Sequence, residues 1–321
     1  MTNSNERFAE VRDEILEHWN EMWPDQFKEI LEEVEDKTFQ WKFPVDFEEK
    51  QEVMLRYQEP PPEGKRTGRY IGHHEVKSMD LVDETIQRKT VMNNGRQLSP
   101  AATLDSHGFC LTPCPTSVES FVNTDEVKEK YYEEMKELVM KQSGASRVVV
   151  FDHTIRESGR TNLNAATADE SAAPVPRVHC DYTADGAPRR LEQLEGGKEF
   201  VESGKRFAFI NVWRSIDREH PVMQMPLAVC DENSVPEEDR FLYELHFEDR
   251  IGENYSLQFN ENHDWYCYPK MTLDECLLFK VYDREQNGVR FVFHTAFEDP
   301  RGGFRAPPRK SVEVRTIAFF D

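Results

Sequence analysis

Cys276-Leu-Leu-Phe-Lys-Val-Tyr282 and Val289-Arg-Phe-Val-Phe-His294 are short runs rich in β-branched and aromatic residues, separated by the polar segment 283–288. Each reads as a buried strand across a turn. The pattern repeats on both sides. Phe207-Ala-Phe-Ile-Asn-Val-Trp213, Leu227–Cys230, Tyr255–Phe259 and Trp265–Tyr268 precede it, and Ser311–Phe319 follows. Several short strands at near-regular spacing predict a barrel or sandwich of jelly-roll type over 177–321.

Farther upstream the pattern changes. Val148-Val149-Val150-Phe151 predicts another strand, preceded by a helix. Asn123 is placed to cap that helix, and Glu126 occupies the capping-box position. Val127, Tyr131, Met135 and Leu138 line one face, and Gly144 ends it. Residues 157–176 are rich in Ser, Asn, Ala and Thr, with prolines at 174 and 176, and read as a flexible lid loop. The proline-rich stretch 59–66 stops both helix and strand. Before it, Phe8, Val11, Ile15, Trp19 and Met22, then Phe27, Ile30, Leu31 and Val34, recur at helical spacing. The expected fold is therefore α+β. It comprises an acidic helical N-terminal extension (1–58), a mixed α/β support region (59–156), the lid (157–176) and a β core (177–321). The helical region packs around the core, and 59–321 form one integrated domain.

The 321 residues carry 40 Lys and Arg against 61 Asp and Glu, a formal net charge of −21. Fifteen acidic and six basic residues fall in the first fifty, as expected for solvated helix faces. So acidic a chain is a poor match for nucleic acid or an anionic membrane, since both demand a cationic surface. No apolar run reaches the roughly 18 residues of a membrane helix, and the first residues lack the features of a secretory signal. Six scattered cysteines do not form a disulfide framework, and Cys110-Xaa3-Cys114 lacks two further ligands for zinc. The expectation is a reduced, cytoplasmic protein without nucleic-acid or membrane partners and of undetermined oligomeric state.

Three residues offer a metal site. In Val-His-Cys-Asp-Tyr (178–182), extended backbone projects His179 and Asp181 to one side. His294, 115 residues later and several strands further on, supplies a second imidazole. Two histidines and a carboxylate on one face of an ion leave three positions open, as non-haem Fe(II) oxygen chemistry requires. A His-Xaa-Asp triplet alone arises readily by chance, and a histidine ending an apolar strand is commonly a hydrogen-bonded core residue. The combination is what carries the reading.

Fifteen residues after His294, Arg309 shares a strand face with Ser311. A guanidinium fork beside a hydroxyl suits a carboxylate, such as the far end of a dicarboxylate that chelates iron at its near end. Arg315 lies on the same face and is the rival anchor. Asn211, Trp213 and Arg214 follow one strand and are candidates for co-substrate or substrate contact. Arg214 could pair with a substrate carboxylate or with a structural acid. Tyr266 and Tyr268 alternate on one face and either line the cavity or fill the core. His153 and Arg156 read as structural.

From about residue 104 onward the chain resembles the Fe(II)/2-oxoglutarate-dependent oxygenases grouped with gibberellin A4 desaturase and the cephamycin methoxylation proteins. The resemblance rests on Leu-Asp-Ser-His-Gly-Phe (104–109), Val-Phe-Asp-His-Thr-Ile-Arg (150–156), Val-His-Cys-Asp-Tyr-Thr (178–183) and Asn-Val-Trp-Arg-Ser-Ile (211–216). It continues through Pro-Leu-Ala-Val-Cys-Asp-Glu-Asn-Ser-Val (226–235), His-Thr-Ala-Phe-Glu-Asp-Pro (294–300) and Pro-Pro-Arg-Lys-Ser-Val-Glu-Val-Arg (307–315). It implies a double-stranded β-helix with Fe(II) on His179, Asp181 and His294, and 2-oxoglutarate on Arg309 and Ser311. With O2, such proteins hydroxylate, desaturate or oxidatively cyclise small molecules of specialised metabolism, and algal kainoid synthases look like one plausible neighbour. The substrate is expected to carry a carboxylate. The rival reading is a cupin-like metal protein or isomerase that does not use 2-oxoglutarate.

Overall fold

The computed structural model describes residues 49–71, 80–160, 171–248, 250–302 and 306–321. The chain divides into two compact units, Met1–Pro44 with Gly303–Ala306, and Val45–Gly302 with Pro307–Asp321. All elements below belong to the second. The helices expected over 8–34 lie outside the described residues.

In chain order the described strands are β1 (Lys50–Gln58), β2 (Arg66–Tyr70), β3 (Leu81–Val82), β4 (Thr85–Asn94), β5 (Phe109–Pro113), β6 (Arg147–Glu157), β7 (His179–Cys180) and β8 (Phe207–Ser215). They continue as β9 (Leu227–Cys230), β10 (Arg240–His246), β11 (Ile251–Leu257), β12 (Trp265–Cys267), β13 (Glu275–Asp283), β14 (His294–Ala296) and β15 (Lys310–Phe319). The larger sheet has the order β1-β4-β12-β9-β14-β7-β11-β10-β2-β3, and the smaller β5-β13-β8-β15-β6. The helices are α1 (Tyr132–Ser143), α2 (Gly186–Glu192) and α3 (Gly197–Glu202). The described protein is thus mostly β with few helices, rather than α+β.

The described end of the expected helical extension is a strand. Val53, Leu55 and Tyr57 are buried at every second position of β1, whose full length pairs with β4. That period suits a half-buried strand and not a helix. In β8 all nine residues are buried, because both faces are covered. Phe207, Phe209 and Trp213 join Val53, Leu55, Met92 and Trp265 of the larger sheet in a core between the sheets. Ala208, Ile210 and Val212 face a second core, closed by Val127, Tyr131, Met135 and Val139. Each large apolar side chain so buried contributes roughly 1.5–3 kcal/mol. Two facing sheets around one core are consistent with a jelly roll.

The helix over the second core begins at Thr124–Glu126 and passes through a π turn, Val127–Tyr131, into α1. Asn123 caps it, its side-chain oxygen accepting from the Asp125 and Glu126 amides. Glu126 does not close a capping box. The Asn123 amide is taken by the Ser120 carbonyl, and Glu126 accepts instead from the Glu119 and Ser120 amides. Gly144 ends α1 at φ 71°, its amide reaching the Met140 carbonyl. The π turn keeps residues 127, 131, 135 and 139 in line, so Val139 rather than Leu138 completes the buried stripe.

Of the expected lid, residues 161–170 lie outside the described set. Beyond them Ala172 is buried and pairs with β6, exchanging bonds with the Glu157 amide and Ile155 carbonyl. All six cysteines are free and buried. No described helix is long and apolar enough to cross a membrane.

Candidate metal centre

His179 and His294 are direct partners on adjacent strands β7 and β14, with ring centroids 4.4 Å apart. His179 Nδ1 lies 2.7 Å from the Arg177 carbonyl and His294 Nδ1 lies 3.3 Å from the Val292 carbonyl. A carbonyl only accepts, so each Nδ1 carries the proton and each Nε2 offers a lone pair. Asp181, two residues beyond His179, turns to the same side. Its Oδ1 lies 3.5 Å from His179 Nε2 and 3.8 Å from His294 Nε2. The three donor atoms lie within 4.8 Å of one another, and no other such group occurs among the described residues. Two imidazole nitrogens and one carboxylate oxygen, gathered within reach of a common point, suit Fe(II) with positions left open.

Charge states match this role. Burial, reinforced by the neighbouring His294, pushes His179 well below the usual histidine range, so its imidazole is neutral. Burial alone would raise Asp181, but His294, Arg315, His179 and the Asn211 amide together hold it down to about 2.

The smaller sheet supplies the opposite wall. On β15, Ser311, Glu313 and Arg315 stand opposite Arg156, Thr154 and Asp152 of β6 and opposite Ser215, Trp213 and Asn211 of β8. Directly paired residues share a face, so these nine side chains form one polar patch facing the inter-sheet space. Asn211 Nδ2 donates to Asp181 Oδ2 at 2.8 Å. Arg315 contacts Asp152 at 2.8 Å, Glu313 at 3.2 Å and Asp181 at 3.9 Å. A cavity of about 40 Å³ beside the triad is lined by Arg156, Trp213, Arg309, Glu313 and Arg315 among others.

Arg309 and Arg315 differ in what they have left to bind. Arg315 is matched by three carboxylates. Arg309 is 3% exposed, gives one Nη to the Met225 carbonyl, and has no described partner for Nε. Ser311 Oγ, 1% exposed, likewise has none. Burial, with Arg156 adding to it, pushes the Arg309 pKa down to about 9. A buried cation with an open N–H beside an open hydroxyl is set up to receive an anion.

Trp213 lines the cavity, under the Arg309 guanidinium at 5.5 Å. Asn211, expected to contact co-substrate or substrate, reaches Asp181. Arg214 does not face the cavity. Strand alternation turns it into the second core, where it is fully buried and donates to the Cys114 and Leu273 carbonyls. Tyr266 packs on His107 and Phe109, and Tyr268 on Phe109 and against Gly95. Neither tyrosine lines the cavities beside the triad. His153 bonds the Tyr132 hydroxyl on the helix side. Arg156, read as structural, lines the cavity, and the alternation of Asp152, Thr154 and Arg156 along β6 is the signal that marks it. Arg69 and Arg177 were not singled out by sequence reasoning at all, yet both line a second cavity beside the triad, of about 340 Å³.

Comparison with known proteins places this site in a family. A family model described as "Oxidoreductase/YMDC permease-like domain" matches residues 55–319. The hydroxylase/desaturase efuI of Hormonema carpetanum is 32% identical over 78% of this chain and 89% of its own length. The alpha-ketoglutarate-dependent dioxygenase phiK of a fungal species is 32% identical over 68% of this chain and 79% of its own. A solved structure of the iron and alpha-ketoglutarate-dependent endoperoxidase NvfI shares the fold, with TM-score 0.72 and 24% identity over 84% of this chain and 98% of that one. The chain belongs to the Fe(II)/2-oxoglutarate-dependent dioxygenases. It is thus an oxidoreductase dependent on Fe(II), 2-oxoglutarate and O2. The cupin-like reading without 2-oxoglutarate is set aside. Neither gibberellin desaturases nor kainoid synthases figure among the relatives named.

Proposed function

We propose that His179, Asp181 and His294 hold Fe(II), that Arg309 and Ser311 anchor the distal carboxylate of 2-oxoglutarate, and that the organic substrate occupies the larger cavity beside the triad. The core is then a double-stranded β-helix, and the reaction is hydroxylation, desaturation or oxidative ring closure of a specialised metabolite. The observation that carries this reading is Asp181 Oδ1, placed within 4 Å of both imidazole Nε2 atoms. Its support is the open, buried pair Arg309–Ser311 on the same inter-sheet space.

With 2-oxoglutarate and O2, Fe(II) supplies the power to abstract hydrogen from an unactivated C–H bond. The chain supplies the rest. The Arg177 and Val292 carbonyls fix both imidazoles as Nδ1–H tautomers. Asn211 and Arg315 take Asp181 Oδ2 and leave Oδ1 free to bind. Arg309 and Ser311 hold a co-substrate at the end remote from the metal, over the Trp213 ring. Leu227 and Val175 add apolar wall to the cavity beside the triad.

The test is 2-oxoglutarate-stimulated O2 uptake with equimolar succinate release by the Fe(II)-loaded protein. Both should vanish in His179→Ala. Succinate release that persists without the imidazole would refute the ligand assignment.

A further inference from the structure

Of the two cavities that touch the triad, the larger encloses about 340 Å³ next to His179 and Asp181. Its described lining holds seven arginines (69, 156, 177, 189, 190, 250 and 315) against Asp152, Asp181 and Glu253. In a chain with net charge −21 that is a local reversal of sign. The three acids are already engaged. Arg315 takes Asp152 and Asp181, and Arg189 takes Glu253. Arg190 donates to the Gln193 side chain, Arg156 to the Ala173 carbonyl, and Arg250 lies over the Phe247 ring at 4.3 Å.

Arg69 and Arg177 remain. Arg69 Nε and Arg177 Nη1 are buried, with no acceptor in reach among the described residues. Arg177 is 8% exposed, and its guanidinium is held 3.6 Å above the Tyr243 ring. The Tyr243 hydroxyl donates to Asp83 Oδ1 at 2.7 Å, which fixes the ring. Arg69 comes from β2 and Arg177 from just before β7, two elements separated in the larger sheet by β10 and β11. Both residues also line the adjoining cavity of about 550 Å³, so they stand where the two spaces meet. Around them Phe151, Tyr182, Leu245 and Phe247 give the first cavity apolar surface.

We infer that Arg69 and Arg177 form a receptor for a carboxylate of the organic substrate, which is therefore an acid carrying an apolar body. This rests on the reading of the triad as the iron site. It replaces Arg214, which faces the other core. Two guanidiniums can fork around one carboxylate or take one each. A substrate without an acceptor here would leave both buried N–H groups unanswered, and a carboxylate answers them with charge as well as lone pairs. The receptor is separate from Arg309 and Ser311, so a substrate acid and 2-oxoglutarate bind at the same time. Arg177 also bears the carbonyl that orients His179, so the receptor adjoins the triad.

The test uses protein loaded with Mn(II) and N-oxalylglycine, an unreactive 2-oxoglutarate mimic, titrated calorimetrically with tricarballylate, 2-dodecylsuccinate and the dimethyl ester of the latter. At least one acid should bind about tenfold or more tightly than the ester. That preference should be lost in both Arg177→Met and Arg69→Met, of which the second alters a less buried side chain. N-oxalylglycine affinity should be unchanged in both variants. Equal binding of acid and ester, or acid binding that survives both substitutions, would overturn the receptor while leaving the metal site intact. Loss of N-oxalylglycine affinity in the variants would overturn it too, by assigning these arginines to the co-substrate. Failure of the unmodified protein to bind Mn(II) and N-oxalylglycine would bring down the underlying site first.

Discussion

Asn211 Nδ2 donates to Asp181 Oδ2 at 2.8 Å, and so selects Oδ1 as the oxygen that faces both imidazoles. Removing that amide frees the carboxylate to rotate and raises its proton affinity. Asn211→Ala should weaken Fe(II) or Mn(II) binding by about 10- to 100-fold while leaving the melting temperature near that of the parent. An unchanged metal titration would show that Arg315 alone suffices to orient Asp181.

Arg309 and Arg315 should separate cleanly. Arg309→Ala removes a buried, charge-assisted partner, and should raise the 2-oxoglutarate concentration for half-saturation by about 10- to 100-fold. Arg315→Ala should instead weaken metal binding, because its guanidinium helps to hold Asp181 ionised. The reverse result, with 2-oxoglutarate dependence following Arg315, would exchange their roles.

Asp181→Ala should abolish turnover with the far-ultraviolet circular dichroism unchanged. The carboxylate sits between sheets that are held together by apolar contacts to which it does not belong. Residual activity above about one part in a thousand would show that the ion is held elsewhere.

Asp283 should contribute to acid stability. It is 1% exposed, bonded twice to Arg206 and lies 3.0 Å from buried Lys280. Burial alone would raise its pKa, but the Arg206 bonds and Lys280 hold it below the ordinary Asp value. A depressed folded pKa gives a contribution that is complete above the unfolded value, about 3.9, and lost as pH falls through the folded one. The melting temperature should therefore drop below about pH 4. Asp283→Asn should cost about 3–5 kcal/mol at neutral pH, by taking the closer of two acids from Lys280 and the paired carboxylate from Arg206, and should flatten the acid limb. An unaltered acid limb would assign it to other carboxylates.

Arg214→Met should reduce stability without changing the Michaelis constant for substrate, since its bonds run to the Cys114 and Leu273 carbonyls.

Alternation was the most informative signal in the sequence, and also the one incompletely applied. It placed His179 with Asp181 and Arg309 with Ser311 by counting two residues along extended chain, although β7 ends at Cys180 and β15 begins at Lys310. The same count along Phe207–Ser215 separates Asn211 and Trp213 from Arg214, and along Lys50–Gln58 it gathers Val53, Leu55 and Tyr57 into a strand. The first misreading came from weighing residue type above position, the second from carrying a helical extension argued over 8–34 as far as residue 58. Arg69 and Arg177 are different. Nothing near either marks it as a cavity residue, because their proximity depends on β2 pairing in parallel with β10, a long-range choice that no local pattern encodes. Asn211 could be placed on the correct face but not matched to its partner, since Asp181 lies across the inter-sheet space.

The burial of every sulfhydryl turns the molecule into its own clock. A maleimide dye meets no reactive group on the native surface, so its rate of incorporation times transient opening. Cys110, Cys114 and Cys276 sit in the helix-backed core, and Cys180, Cys230 and Cys267 between the sheets. Mapping which set is tagged first would reveal which side of the smaller sheet breathes.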